Sequence, residues 1–509
     1  MDIQELQSYS RSAIVLIGSG PANLVLAEYL TDNGLSTLMI EAGENEYSAD
    51  SQDSYQGESK GSYHLPYGLK DSRMRFLGGS SNCWAGGCGE FSDLDFEARD
   101  WVPLSGWPIS KHQLEPFYAK AYEYFYLETP EDAGSSINGF TQRRLAFTSV
   151  VRLKGTKLKE LLSRKNFKLL TGFTLIDLSL TDHSVSAAVL VNPSGKKLSI
   201  QPKILVLGCG GIENARLLLN IAETRPDAFG PAVGKFFCEH PIAPVATIVP
   251  ANSAAEKFFE NLDASGIDYQ STVRTRSFFE VPFSEQSIYK LSNIALQVIR
   301  DQEGLTDAQR AAVELRSLIK NGALEDFSYD SFTRMVSSPL EVVDAFLDRL
   351  IGSDTRLSLR FQLEQTPFRE SYLTLGNEKD AFGLRRSELR WQISDLERKS
   401  VDHAVAMFAE KIQGLGLGTL LLDPFFRESS AGLPPDLRGG QHHCGTTRMG
   451  HDFDTSVVDP NCRAHKFKNL YLHGSSVFPT NGWMNPTLTI VALAYRLGAH
   501  IHDCLSVKC

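Results

Sequence analysis

The hydrophobic pattern changes period twice within the first forty residues. Ala13–Ile17 is an unbroken apolar run that stops at Gly18-Ser19-Gly20; from Pro21 to Leu30 the apolar positions recur at helical spacing until Gly34, and a second apolar run, Thr37–Ile40, ends at Glu41. Runs this short, bounded by turn residues, predict buried strands, and the whole reads as strand, glycine turn, helix, strand, acid, the opening of a dinucleotide-binding α/β fold. Ile204–Leu207, followed by Gly208-Cys209-Gly210-Gly211 and the apolar-periodic stretch from Ile212, repeats the logic and predicts a further strand of the same sheet. Between them, Ser110-Lys111-His112-Gln113 is a capping box opening a helix through Tyr126, whose Phe117, Tyr118, Ala121, Tyr122 and Phe125 form a core face. Phe167–Leu180 and Ser184–Val191 alternate as a hairpin-like sheet with Pro193-Ser194-Gly195 as turn, and the polar, aperiodic stretch 44–70 reads as a loop.

From Ile242 to about Gly440 the pattern differs. A charged helical stretch, Thr306–Asn321, accompanies strand-like segments at Arg356–Glu364, Ser371–Leu375 and Arg390–Ile393, and a helix from Leu396 puts Val401, Val405, Phe408 and Ile412 on one face. The expected organisation is a cofactor domain over 1–241, an inserted α+β substrate-binding domain mainly over 242–440, and a return to the cofactor domain over 441–509.

Size and charge narrow the class. A chain of 509 residues, 42% of them hydrophobic, exceeds one ordinary core. A net charge of −10 without any basic run argues against nucleic acid as a partner. The first residues show neither a basic leader nor a twin arginine, and Ala13–Ile17 is too short to cross a bilayer, so the expectation is no membrane span and a cytoplasmic location. Eight cysteines lie scattered without a Cys-x-x-Cys pair or a zinc-spaced Cys/His comb, which predicts reduced thiols and no metal site.

Three stretches carry candidate chemistry. Gly18 and Gly20 let the main chain approach a pyrophosphate at the helix opened by Pro21, and Glu41, followed by Ala42 and lying about 20 residues beyond Gly18, suits ribose hydroxyls and disfavours a 2′-phosphate. Asn23 occupies the usual third-glycine position, so either the helix rides further out or the amide bonds the cofactor itself. Over 73–90, Gly78, Gly79, Ser80, Asn82 and Cys83, with Trp84 and two arginines, describe a backbone pressed against something flat and polar. The last stretch places His442-His443-Cys444-Gly445, then Gly474-Ser475, then Asn485-Pro486-Thr487 before a closing helix. A histidine there can take a proton near neutral pH while an asparagine holds the resulting alkoxide.

By these motifs the chain resembles the glucose-methanol-choline (GMC) oxidoreductase family nearly end to end, through Gly18-Ser19-Gly20, Leu77-Gly78-Gly79-Ser80-Ser81, the block from Cys209 and Gly210 to Arg216, Glu239-His240-Pro241, Val457-Val458-Asp459 and the terminal elements. Gly106-Trp107-Pro108, Gly445-Thr446-Thr447-Arg448-Met449-Gly450 and Asn485-Pro486 are most similar to the branch of pyranose oxidases and fructose or gluconate dehydrogenases. The resemblance implies an α/β fold with a Rossmann-like FAD-binding domain and FAD-dependent oxidation of an alcohol, expected to be a sugar, aminosugar or cyclitol hydroxyl, with oxygen or another electron acceptor. It carries the catalytic histidine onto His442, three residues before Gly445, and the second catalytic position onto Asn485. In an extended segment His443 would face the other way, and His443, His451, His465 and His473 are expected to be structural, with His240 supporting the site from behind. Where some members attach FAD through histidine this chain has Cys83, so FAD is expected to be noncovalent. A flavin lyase of the same fold, or the catalytic subunit of a membrane-linked dehydrogenase complex, are the alternatives.

Overall fold

The computed structural model describes residues 3–129, 135–149, 153, 155, 157–263, 274–301, 356–435 and 437–506. The apolar runs at Ile14–Ile17, Thr37–Ile40 and Ile204–Leu207 are strands with every side chain buried. Continuous burial requires cover on both faces, which a parallel sheet with helical crossovers provides. Among the described residues five parallel strands form it, in the spatial order Leu470–Leu472, Ile204–Leu207, Ile14–Ile17, Thr37–Ile40, Phe167–Leu170. Helix Pro21–Asp32 packs on the closing helix Thr487–Ser506 so closely that a Cβ at Gly498 would lie 2.5 Å from the Tyr29 ring.

Among the described residues a second, antiparallel sheet has eight strands. Its main path runs Gly418–Leu422, Pro241–Pro250, Arg356–Leu363, Ile294–Asp301, Arg274–Glu280, Thr141–Phe147, Gly87–Cys88. It therefore draws two strands from the chain before residue 242. Arg356–Leu363 shows the two-residue period clearly: Leu357, Leu359, Phe361 and Leu363 are core, while Ser358, Arg360 and Gln362 take the other face. Helix Asp395–Gly414 is capped by the Ser394 hydroxyl on the Leu396 N–H and buries Val401, Val405, Phe408 and Ile412, as its periodicity predicts.

Several local expectations change. Phe167–Leu180 is two strands: Phe167–Leu170 joins the parallel sheet beside Thr37–Ile40, and after a turn at Gly172 (φ +71°) Thr174–Leu180 pairs with Val185–Val191. Pro193-Ser194-Gly195 turns instead into a third strand, Lys197–Ile200. Both halves alternate alike, so only their partners distinguish them. Stretch 44–70 is more than a loop, since Gly57–Ser59 pairs in parallel with Ser387–Leu389. Three residues are too few to display a period. The strand expected at Arg390–Ile393 ends at Arg390, where Trp391 plunges into the core and donates from its indole to Gln365. The Ser110 capping box opens a 3-10 turn before helix Glu115–Tyr124, and Tyr118, Ala121, Tyr122 and Phe125 are buried. The helix expected at Thr306–Asn321 lies outside the described residues.

Candidate active site

One cavity of about 530 Å³ runs from the glycine turn to the C-terminal histidine pair. At the first end it is walled by Gly18, Ser19, Gly20 and Pro21, with Glu41 and Ala42 at the tip of the second strand. Gly18 sits at φ +94°, where a Cβ would lie 2.9 Å from the Gly208 carbonyl, so the turn tolerates only glycine. Helix Pro21–Asp32 has no side-chain cap at Gly20, and its first N–H groups face the turn as donors for an anion.

Glu41 is buried and ties three segments together. One oxygen accepts the Ser19 N–H (3.0 Å) and hydroxyl (2.6 Å), and the other accepts the Gly43 N–H at 2.8 Å. The Ser19 hydroxyl in turn accepts the Gly78 N–H at 2.9 Å, drawing the 73–90 stretch onto the turn. A carboxylate offers about four lone-pair sites, so one remains for a ligand.

Gly79, Ser80 and Cys83 form the next part of the wall, with Gly79 so close to the turn that a Cβ would meet the Gly20 Cα at 3.2 Å. Gly210, Gly474, Ser475, Pro486 and Thr487 also line it. Gly78, Asn82 and Asn23 do not; they hold the wall from behind. The Asn82 amide donates to the Leu77 and Gly79 carbonyls at 3.0 and 2.8 Å. Asn23, fully buried, donates to the Ile17 and Gly18 carbonyls at 2.8 Å each and meets the His473 Nε2 at 2.6 Å. Its amide fills the space beside Gly208, where a Cβ would lie 2.6 Å from it. The departure from the usual third glycine is thus accommodated by the neighbouring strand end. His473 itself is fully buried.

Other wall residues were given no role of their own by the sequence. Arg73 and Arg216 flank Glu213 at 2.9 and 3.0 Å, and Arg216 also reaches Asp380 at 2.5 Å. Burial by itself would raise the Glu213 pKa, but the two guanidiniums outweigh it and hold the carboxyl below its ordinary value. At the histidine end, alternate positions of three strands face the cavity: Leu145 and Phe147, Arg276 and Phe278, Arg360 and Gln362. For the last pair the signal existed in the sequence, since Arg356–Leu363 alternates polar with apolar. Which face meets the cavity is decided only by packing.

His442 and Asn485 share this end of the cavity. The Asn485 Oδ1 accepts from the Gln362 side chain at 3.2 Å, and that amide also donates to the Trp483 carbonyl at 2.6 Å. With its oxygen engaged, Asn485 is left to present its Nδ2 protons. Gly87 makes room for them, because a Cβ there would lie 2.9 Å from that nitrogen.

His442 and His443 diverge, as neighbours in an extended segment should. The His442 Nδ1 lies 2.7 Å from the His240 Nδ1, whereas His443 packs against Phe237 and approaches Glu239 at 3.7 Å. One Glu239 oxygen accepts both the His240 and His442 backbone N–H groups at 2.8 Å. Burial pushes the Glu239 carboxyl up to about 7 and holds His442 well below the ordinary histidine value. Its surroundings therefore favour the neutral form of His442, the form that can accept a proton.

Residues 367–494 match the family model described as GMC oxidoreductase. By this segment, about a quarter of its length, the chain is similar to the GMC oxidoreductases. Proteins of this family bind FAD and oxidise CH–OH groups. The chain is 34% identical over 129 residues to a C-glycoside 3-oxidase of Microbacterium trichothecenolyticum, covering 25% of this chain and 23% of that one. It is 30% identical over 118 residues to the fructose dehydrogenase large subunit of Gluconobacter japonicus, covering 23% and 20%. These alignments span only about a quarter or less of the relatives' lengths. The crystal structure of pyridoxine 4-oxidase from Mesorbium loti shares the fold, with a TM-score of 0.57 over 97% of this chain and 99% of that one at 16% identity. Among the described residues, no helix is long and apolar enough to cross a membrane, and no group of three His, Cys, Asp or Glu could hold a metal ion.

Proposed function

We propose that this chain is a GMC oxidoreductase that binds FAD in the long cavity through a Rossmann-like domain and oxidises an alcohol, a sugar, aminosugar or cyclitol hydroxyl, to a carbonyl. The observation that carries the reading is that His442 and Asn485 meet the same cavity as the glycine turn and Glu41. The wall fits the cofactor on its own terms: an uncapped helix N-terminus beside Gly18 and Gly20 for the pyrophosphate, a spare lone pair on Glu41 for a ribose hydroxyl, and glycine at 79 where a side chain would press on the turn. FAD, when bound, supplies the hydride acceptor.

The chain's residues manage the substrate's proton. The His442 Nε2 takes it from the hydroxyl, a contribution typically worth ~10²–10⁴-fold. The Asn485 Nδ2 donates to the oxygen as it gains negative charge, and its orientation by Gln362 makes that donor preorganised. Phe147 and Phe278 exclude water from this end, while Arg276, Arg360 and Gln362 offer polar groups to a polyhydroxylated substrate.

The decisive experiment is anaerobic mixing with a panel of sugars, aminosugars, cyclitols and simple alcohols. At least one is expected to bleach the yellow chromophore in a single turnover, and a flavin that no alcohol bleaches would sink the oxidation reading. Cys83 is exposed, with its thiol directed at the Ser80 carbonyl at 3.3 Å. Acid precipitation is therefore expected to release FAD into the supernatant, whereas flavin retained in the pellet would reveal a covalent bond and point to Cys83. Glu41→Ala removes the acceptor shared by Ser19 and Gly43 as well as the ribose contact. Its FAD occupancy after dialysis is expected to fall roughly tenfold or more, consistent with the loss of hydrogen bonds to a charged group; unchanged occupancy would remove Glu41 from the cofactor site.

A further inference from the structure

The contact behind His442 fixes where its proton resides. His240 is fully buried, and its Nε2 lies 3.0 Å from the Asn481 carbonyl oxygen. A carbonyl can only accept, so the His240 Nε2 carries a hydrogen. In a neutral imidazole the other nitrogen is then bare. The His240 Nδ1 is 2.7 Å from the His442 Nδ1, and the hydrogen between them must come from His442. That leaves the His442 Nε2 as the unprotonated atom.

We infer that His240 is a positioning residue that selects the Nδ1–H tautomer of His442, so that its Nε2 lone pair is the one available to a substrate hydroxyl. The inference rests on the proposed role of His442 but concerns a property of the resting protein. Burial supports it by holding His240 down at about 4, which keeps that ring neutral and its Nδ1 an acceptor.

The surroundings leave little freedom for another arrangement. One Glu239 oxygen accepts the backbone N–H of both histidines at 2.8 Å, and the Asn481 side chain donates to the Glu239 carbonyl at 2.9 Å. His240 is thus bonded to Asn481 from its ring while the preceding residue is bonded to the Asn481 amide. Gly440 leaves room for the imidazole pair, since a Cβ there would lie 2.6 Å from the His442 Nδ1.

In the reaction the substrate O–H bond breaks and a bond from that proton to the His442 Nε2 forms. The positive charge then sits on His442, whose Nδ1–H bond to His240 becomes charge-assisted and stronger. His240 neither gains nor loses a proton, and its Nε2–H bond to the Asn481 carbonyl persists through the step. A second-row histidine that only filled space would give none of this stabilisation.

The test uses the FAD-loaded protein with ¹⁵N-labelled histidine, the His442 signals being assigned by their loss in His442→Gln. The wild type is expected to show a protonated Nδ1 and a bare Nε2 on His442, and His240→Leu to shift that ring toward the other tautomer. The same variant should slow anaerobic bleaching roughly 10–100-fold, the worth of a charge-assisted hydrogen bond, with the half-saturating alcohol concentration changed by less than about threefold. His240→Asn, which keeps an amide acceptor near the Nδ1 position, should recover most of the rate. If His240→Leu does not fold, the wild-type tautomer and the rate of His240→Asn decide the matter. A His442 protonated at Nε2 in the resting protein, or a tautomer unmoved by His240→Leu, overturns the inference. If no alcohol bleaches the flavin, the oxidation reading fails while the tautomer measurement still judges His240.

Discussion

His442→Ala is expected to slow alcohol-dependent bleaching of the flavin by on the order of 10²-fold or more, the usual worth of a positioned general base. The expectation rests on its place at the cavity and on its immediate surroundings. Burial and the neighbouring imidazoles hold His442 well below the ordinary histidine pKa, so the ring is a neutral acceptor rather than a cation. The sign follows: a lowered pKa keeps the base form present as pH falls through about 6.5, the unperturbed histidine value. The wild-type bleaching rate should stay flat there and drop only at lower pH. Asn485→Ala should cost about 3 kcal/mol, near 10²-fold, by removing a donor preorganised by Gln362. His443→Ala, by contrast, removes a ring packed between Phe237 and Glu239 and should chiefly lower stability. Stopped-flow bleaching without oxygen, corrected for FAD content, separates these outcomes. A crippled His443→Ala beside a mild His442→Ala would reassign the base to the neighbouring residue. Mild effects in both would mean that proton removal is unassisted here.

The largest expected loss of stability comes from Arg99→Leu. Arg99 and Glu364 form a two-point pair at 2.7 and 2.6 Å with side chains 1% and 0% exposed. Glu364 also accepts the Asn293 N–H at 3.0 Å, and Asn293 donates to Asp95 at 2.8 Å. The network ties the segment that follows the 73–90 stretch to two central strands of the second sheet. Removing the guanidinium leaves a carboxylate buried without its counter-charge, which typically costs 3–5 kcal/mol. The midpoint of urea unfolding should fall accordingly. Replacing both partners, Arg99→Leu with Glu364→Leu, should recover part of the loss, because no unpaired charge then remains inside. A single variant within about 1 kcal/mol of wild type would show that water reaches the pair, since exposed ion pairs contribute no more than that.

The two ends of the cavity were unequally legible in the amino-acid order. The glycine turn, its helix and Glu41 could be read directly because their constraints are local: a left-handed φ at Gly18, an uncapped helix start, and an acid ending the next buried strand. The pairing of His442 with Asn485 came from the family motif, which carries position without geometry. The polar wall could have been suspected from the alternation in Arg356–Leu363, yet period alone does not say whether the polar face meets solvent or a cavity.

What tertiary structure alone decided are contacts between segments far apart in the chain. Phe167–Leu170 and Thr174–Leu180 have the same alternating character, and only the exposed edge of the parallel sheet selects the first as its strand. Gly57–Ser59 becomes a strand because Ser387–Leu389 offers a free ladder, and Asn23 replaces a glycine because Gly208 and His473 leave an amide-shaped space. The meeting of His240 with His442, some two hundred residues later, and with the Asn481 carbonyl is of the same kind. Local propensity encodes where a chain bends and which face it buries. Which nitrogen of a buried imidazole holds its proton depends on the atoms that packing brings within hydrogen-bond distance, and no local pattern in the sequence records them.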